Sequence, residues 1–181
     1  MKKIGFIDYY LDEWHANNYP QLIKEVSGGE LEVTCAYAVI DSPIGGMTTD
    51  QWCEKYGIPR CNSIEEVIAQ SDLLVVLSPD NCEKHEELCQ LPLRSGKPTY
   101  IDKTFAPDYA TAKRIFDIAE ESGTERGYGH VTIEVDGNVS LKNARKMRAA
   151  GADLFVAGTS SVFDKDGDLR ENIAKFREAI R

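Results

Sequence analysis

Residues 72–107 read D-L-L-V-V-L-S-P-D-N-C-E-K-H-E-E-L-C-Q-L-P-L-R-S-G-K-P-T-Y-I-D-K-T-F-A-P. The run Leu73 to Leu77 is apolar throughout, so as a strand it has no polar face and must be covered by helices on both sides. Pro79 stops it, because proline cannot donate to a strand ladder. A helix-length segment carrying Cys82, His85 and Cys89 follows, closed by a Gly96-Lys97 turn, and Thr99 to Asp102 opens a second short strand. Strand, helix and strand in this order make a βαβ unit, whose two strands run parallel.

The same alternation extends in both directions. Further strands are expected at Lys3–Asp8, Glu32–Ile40, Ile58–Cys61, Val131–Asp136 and Leu154–Gly158, seven with the two above. The helices between them carry start signals. Ser63 with Glu66 is a capping box, and Asp108 precedes a stripe of Ala112, Ile115, Phe116 and Ala119. Ser140 opens a shorter helix that Gly151 ends, and Asp168 with Glu171 opens the last, carrying Leu169, Ile173, Phe176 and Ile180. The fold class is α/β: a doubly wound parallel sheet with helices on both faces. Residues 122–129 hold three glycines and mark the strongest composition break, although the whole of 1–181 is expected to form one domain.

Composition limits the function. The chain has 181 residues and a net charge of −9, with 21 Lys and Arg against 30 Asp and Glu. An acidic chain without a basic stripe is a poor binder of nucleic acid, so no nucleic-acid partner is expected. No apolar run approaches the roughly 18 residues of a membrane span, and Met1 to Gly5 leads straight into a strand, so a cytoplasmic protein without a membrane partner is expected. The five cysteines are odd in number and confined to the first half, which suits a reduced compartment. Cys82, His85 and Cys89 would share a helix face, but a metal needs a fourth ligand, and none is assigned.

Pro79, His85, Gly96-Lys97 and Asp102-Lys103-Thr104 resemble the central signature of the glucose-fructose oxidoreductase and inositol dehydrogenase family, Gfo/Idh/MocA. The resemblance covers residues 1 to about 124 and implies that family's NAD(P)-binding Rossmann half, with Pro79 and His85 at the cofactor. It also implies a Lys103 beside nicotinamide and substrate that polarises a hydroxyl or carbonyl during hydride transfer. Asp41, at the end of the second strand, is the candidate for the adenosine ribose or simply a turn former. The first βα turn departs from the pattern. A dinucleotide needs G-x-G-x-x-G there, whereas residues 5–15 read G-F-I-D-Y-Y-L-D-E-W-H, with carboxylates and tyrosines where glycines belong. The Asp12, Glu13 and His15 cluster reads as a solvated helix start or as a polar site of another kind.

Residues 130–163 resemble a second family, the ribulose-phosphate 3-epimerase type of (β/α)₈ barrel. The match runs over about 125–181, on I-x-V-D-G at Ile133–Gly137 and A-G-A-D-x-x-V-A-G-T-S at Ala150–Ser160. It implies a metal-ligating acid/base role for Asp136, and backbone binding of a phosphate or sulfate by Gly137, Asn138, Gly158, Thr159 and Ser160. Asn138 stands where that family has a second glycine, and asparagine tolerates left-handed backbone. The front of one family joined to the tail of another near Thr124 is expected to be an engineered or recombined fold chimera without a complete enzyme site; the two resemblances together imply a Rossmann-like sheet, a Rossmann half extended by two parallel βα units in strand order 3-2-1-4-5-6-7. Lys103 and Asp136 are then vestigial, and no cofactor is required. The alternatives are an NAD(P)-dependent, sugar or polyol dehydrogenase-like remnant and a sugar-phosphate binding module. A monomer or weak homodimer is expected.

Overall fold

The computed structural model describes residues 1–125, 132–165 and 167–181, without the side chains of residues 124 and 125. The chain divides into two compact units, Met1–Gly129 and His130–Arg181. In the first unit the elements are β1 (Lys2–Asp8), α1 (Trp14–Val26), β2 (Leu31–Ala38), α2 (Thr49–Tyr56), α3 (Ile64–Gln70), β3 (Leu73–Val76), α4 (His85–Ser95), β4 (Thr99–Ile101) and α5 (Tyr109–Glu125). All four strands are parallel, in the order β2-β1-β3-β4.

Alternation along β3 sorts the core onto two faces. Val75 and Leu77 pack with Phe6, Ala16 and Trp52, toward α1 and α2. Leu74 and Val76 pack with Ile7, Val67, Leu88, Cys89 and Ile115, toward α3, α4 and α5. Both faces of the sheet are therefore covered, as the apolar run at 73–77 requires. The helix starts follow their signals: Ser63 Oγ accepts from Glu66 N at 3.3 Å, and Asp108 Oδ1 accepts from Thr111 N at 2.8 Å. Glu66 closes only half of its expected box, because its carboxylate accepts from Asn62 N at 2.7 Å. A complete box, with Thr48 and Gln51 as its partners, opens α2.

The expectation of one seven-stranded sheet is corrected, since the described residues form six strands in two sheets. At Ile58–Cys61 only a bridge forms, Ala36 with Arg60, because Pro59 has no N–H to extend a ladder. That bridge lies outside β2, so the first five expected strands keep the order 3-2-1-4-5.

In the second unit, among the described residues, β5 (Glu134–Val135) pairs only with β6 (Leu154–Phe155), beside α6 (Leu141–Ala149) and α7 (Leu169–Ala179). The expected start of β5, Val131, lies outside the described residues. The separation has a chemical reason: Ile133-Glu134-Val135-Asp136 alternates apolar and acidic, a pattern that buries one face only, unlike Leu73–Leu77. Val135 and Phe155 turn toward a core of Val139, Ala144, Val162 and Phe176, and Glu134 and Leu154 stay exposed. Ser140 and Asp168 cap α6 and α7 as expected, and Gly151 has a φ of +106° just past α6. No helix among the described residues is long and apolar enough to cross a membrane.

Candidate functional site

In an open parallel sheet, ligands approach the carboxyl ends of the strands, where the order reverses. Here that place lies between β1 and β3, and the chain's own side chains fill it. Asp8 ends β1, is buried, and accepts from Tyr9 N at 2.7 Å. Burial, and then the charge of Glu13, raise its carboxyl well above the ordinary aspartate range. Tyr10 reaches across to the loop after β3, where its hydroxyl donates to Asp80 Oδ2 at 2.8 Å. Burial, and then that carboxylate, push the phenol up to about 12. Lys84 Nζ sits 5.0 Å from the centre of the Tyr9 ring, a second tie between the two loops.

The start of α1 is where a dinucleotide's pyrophosphate would rest. Its first N–H groups have no partner within the helix, and the helix dipole adds positive potential. Glu13 occupies that position as the N-cap residue. Its carboxylate accepts from His15 N at 2.7 Å and from Ala16 N. Glu13 is only 7% exposed, so the expectation of a solvated helix start is corrected: the acid is drawn inward by the N–H groups that it satisfies. Its Oε2 also lies 3.0 Å from His15 Nδ1. On its other side, His15 Nε2 is 3.7 Å from Asp102 Oδ2 at the end of β4. Asp12 braces the same loop, accepting from Met47 N at 2.7 Å and from Asn17 Nδ2 at 3.1 Å.

The residues expected at a cofactor are distributed differently. Pro79 follows β3 at the reversal point, half-buried, after Ser78 at a φ of +80°. His85 is wholly buried, with Nδ1 3.0 Å from Phe105 O and Nε2 against Leu77 O, so it clasps the ends of β3 and β4 together. Asp41 accepts from Thr49 N at 2.8 Å at the start of α2, the turn-forming role of an acid at a strand end. Lys103 is exposed beside buried Asp102. Lys97 of the Gly-Lys turn donates to Ile68 O and to Ser71 O at 2.5 Å, which closes the end of α3. Cys89 Sγ points to Glu86 O at 3.8 Å, and burial pushes its thiol up to about 12. Among the described residues no three His, Cys, Asp or Glu side chains converge as a metal would need.

In the second unit, Gly137 and Asn138 have φ of +89° and +48°, so asparagine does adopt the left-handed turn. The Gly137 N–H, however, is taken by Asp136 Oδ1 at 2.6 Å. Gly158 O accepts from Ser161 N and Phe163 N, both at 3.1 Å, which folds the second loop back with Thr159 and Ser160 exposed. Beside Ser160 lies a cavity of about 240 Å³, bordered by Ser161, Asp164, Asn172 and Lys175, whose Nζ is 3.6 Å from Glu171 Oε2.

Sequence reasoning singled out Glu13 without its role, and it placed Asp8, Tyr10 and Asp102 within its motifs without giving any of them a part in the site. Its signal for Glu13 was available, in that an acid directly precedes a helix where the dinucleotide pattern needs glycine.

Comparison with known proteins gives two likenesses. Residues 24–130 match the model of the oxidoreductase family with an NAD-binding Rossmann fold, Gfo/Idh/MocA. The chain is also 32% identical over 98 residues to ribulose-phosphate 3-epimerase of Escherichia coli K12, an alignment that takes in 52% of this chain and 40% of that one. With the epimerase of Chlamydia trachomatis serovar D it shares 35% over 82 residues, covering 45% and 34%. Each of the family-model and E. coli matches takes in more than half of the chain, so the two overlap.

Among solved structures, the dehydrogenase MviM of Clostridium difficile superposes with a TM-score of 0.53 at 17% identity, over 82% of this chain and 43% of that one. The WlbA dehydrogenase of Bordetella pertussis, solved with NADH and UDP-GlcNAcA, gives 0.53 at 16%, over 82% and 41%. These two likenesses show the Rossmann-like fold. The chain spans about 40% of the length of the epimerase of Escherichia coli and of both dehydrogenases. The family model covers more than half of the chain, on the strands and helices that carry Pro79, His85 and Lys103, and the chain belongs to the Gfo/Idh/MocA oxidoreductase family with its NAD-binding Rossmann fold.

Proposed function

We propose that this chain is a recombined fold chimera that carries no complete enzyme site: a Gfo/Idh/MocA Rossmann unit, joined to an epimerase-like unit, in which the pyrophosphate seat is filled from within. One observation carries the reading: the Glu13 carboxylate sits on the N–H groups of His15 and Ala16 at the start of α1. A pyrophosphate there would have to displace a buried, hydrogen-bonded acid and lie near buried Asp8 as well. Like charges at such distances in a poorly solvated site oppose binding, and the Cβ atoms of residues 9–13 stand where glycines would admit the phosphates. The residues present do not fit a dinucleotide, and no hydride-transfer step is derived for Lys103.

The epimerase-like unit supports the same reading. Proton transfer on two faces of a ketose phosphate needs two opposed carboxylates. Asp136 is exposed, and its carboxylate is engaged with Gly137 N. Assays with NAD and NADP against sugars and polyols, followed by nicotinamide absorbance, and with ketose phosphates, followed by epimer formation, test the proposal. No turnover above background is expected, and robust turnover of either class overturns it.

A second reading, a binder of phosphate or sulfate, is favoured by the cavity beside Ser160 and its neighbour Lys175. Phosphorus NMR of inorganic phosphate titrated with the chain tests it: saturable line broadening lost in Lys175→Ala supports it, and unchanged lines refute it.

A further inference from the structure

We propose that the second unit joins head to tail with a second copy of this chain: the basic outer face of α6 in one copy covers the open face of the β5–β6 sheet in the next.

The sheet supplies half of the argument. Val135 and Phe155 turn inward, where Ala144 and Met147 of α6 and Ile173 and Phe176 of α7 join them in one core. Both helices therefore cover the same face. On the other face the register sets Glu134 beside Leu154. Val156 follows on that side by the alternation of a strand, and its N–H continues the ladder to Val135 O at 2.9 Å. Leu154 is 50% exposed and Val156 43%, and Glu134 and Asp136 are exposed as well. Taken alone, β5 points acids to solvent, but β6 sets an apolar row next to them. Parallel sheets are found with both faces covered, so among the described residues of this unit one layer is missing.

The other half comes from α6. Ala144 is buried and Met147 half-buried on its inner side, so Lys142, Arg145, Lys146 and Ala149, three and four residues apart, form its outer side. Arg148 lies 3.9 Å from Asp153, whereas Lys142, Arg145 and Lys146 are exposed and have no ion pair among the described residues. The helix contains no acid of its own. It shows three unpaired cations around one alanine.

The two surfaces complement each other. Laid across the sheet face, α6 sets Ala149 and the apolar stems of its Lys and Arg side chains on Leu154 and Val156, while their charged heads reach Glu134 and Asp136. It is then the missing layer. Net charge does not oppose the contact, because residues 130–181 hold nine Lys and Arg against eight Asp and Glu, and the acidity of the chain resides in the first unit. Nucleic acid is the poorer occupant of α6, since a polyanion leaves the sheet face open and is repelled by a chain of net charge −9. The outer side of α6 and the open sheet face lie on opposite sides of the unit. The contact is therefore heterologous and adds copies in a row instead of closing as a two-fold pair. A small, charged interface of this kind is weak. The proposal rests on neither reading of the function.

Sedimentation velocity of the whole chain, from about 10 µM to about 1 mM, tests it. Reversible growth in size is expected, half complete at a few hundred micromolar in about 0.1 M salt and several-fold weaker in about 0.5 M. A triple variant, Lys142→Gln with Arg145→Gln and Lys146→Gln, and a double variant, Glu134→Lys with Leu154→Lys, should each stay monomeric, since each has lost one of the two surfaces. Mixed in equal amounts they should form a dimer and grow no further, because only one intact α6 and one intact sheet face can meet. The salt dependence needs no variant and holds if one fails to fold. The proposal is overturned by a wild-type chain that stays monomeric throughout, by association that salt leaves unchanged or strengthens, or by either variant associating like wild type. A mixture of two folded variants that stays monomeric, or that grows beyond a dimer, also overturns it.

Discussion

Gly5 shows how little room a single residue has in this fold. A Cβ placed on it would come within 2.3 Å of both Ser71 Oγ and Val67 Cγ1, so β1 packs against the end of α3 only because that atom is missing. Gly5→Ala is expected to lower stability by about 1–3 kcal/mol, the usual range for overpacking, as measured by urea unfolding. Asp8 makes a prediction about pH. Its folded-state pKa is raised by burial and then by Glu13, so the folded chain holds this proton to higher pH than the unfolded chain does. The stability it contributes is complete below the unfolded value of about 3.9 and is lost as pH rises toward the raised folded value. Asp8→Asn should flatten that decline and unfold at higher urea than wild type at pH 7, and a steeper decline in the variant would refute the assignment. Residues of this kind were only partly legible beforehand. The acids at 8, 12 and 13 are visible in the sequence, but charge alone reads as solvated. What turns Asp8 and Glu13 inward is the geometry of the strand end and of the open helix N–H groups.

At the scale of elements, local chemistry was the most readable. Ser63, Asp108, Ser140 and Asp168 each cap the helix expected of them, because a cap depends on residues two or three apart in the chain. The sheet was legible where runs are apolar on both faces, as in β1 and β3. It was misjudged at β5 and β6, where period-two alternation marks a half-covered pair. His85 is the connection least visible from sequence. A histidine on an expected helix reads as a ligand contact, yet its ring joins Leu77 O and Phe105 O, 20 residues of chain apart from His85 in the second case. His85→Ala removes the ring that lies between the two carbonyls and opens a cavity, and is expected to cost about 2–4 kcal/mol by thermal or urea unfolding. A change under about 0.5 kcal/mol would show that the clasp holds nothing, since that is the range of an ordinary surface substitution.

For the molecule as a whole, the division at Gly129 and His130 sets two cores of different size. The first places its sheet between two helical layers. The second rests on a pair of two-residue strands and a small cluster around Phe176. Small cores and two-stranded sheets are marginal on their own, so native-state hydrogen exchange should show weaker protection at Val135 and Phe155 than at Phe6 and Val75. Equal protection would mean that the units share one cooperative unfolding. Family membership was legible from the segment around Pro79, His85 and Lys103, while the fate of the cofactor site depended on where one glutamate folds. The most direct test is calorimetric titration of the whole chain with NADH and NADPH. With Glu13 on the N-terminus of α1, no saturable heat is expected up to millimolar cofactor, and micromolar binding of either would contradict the account.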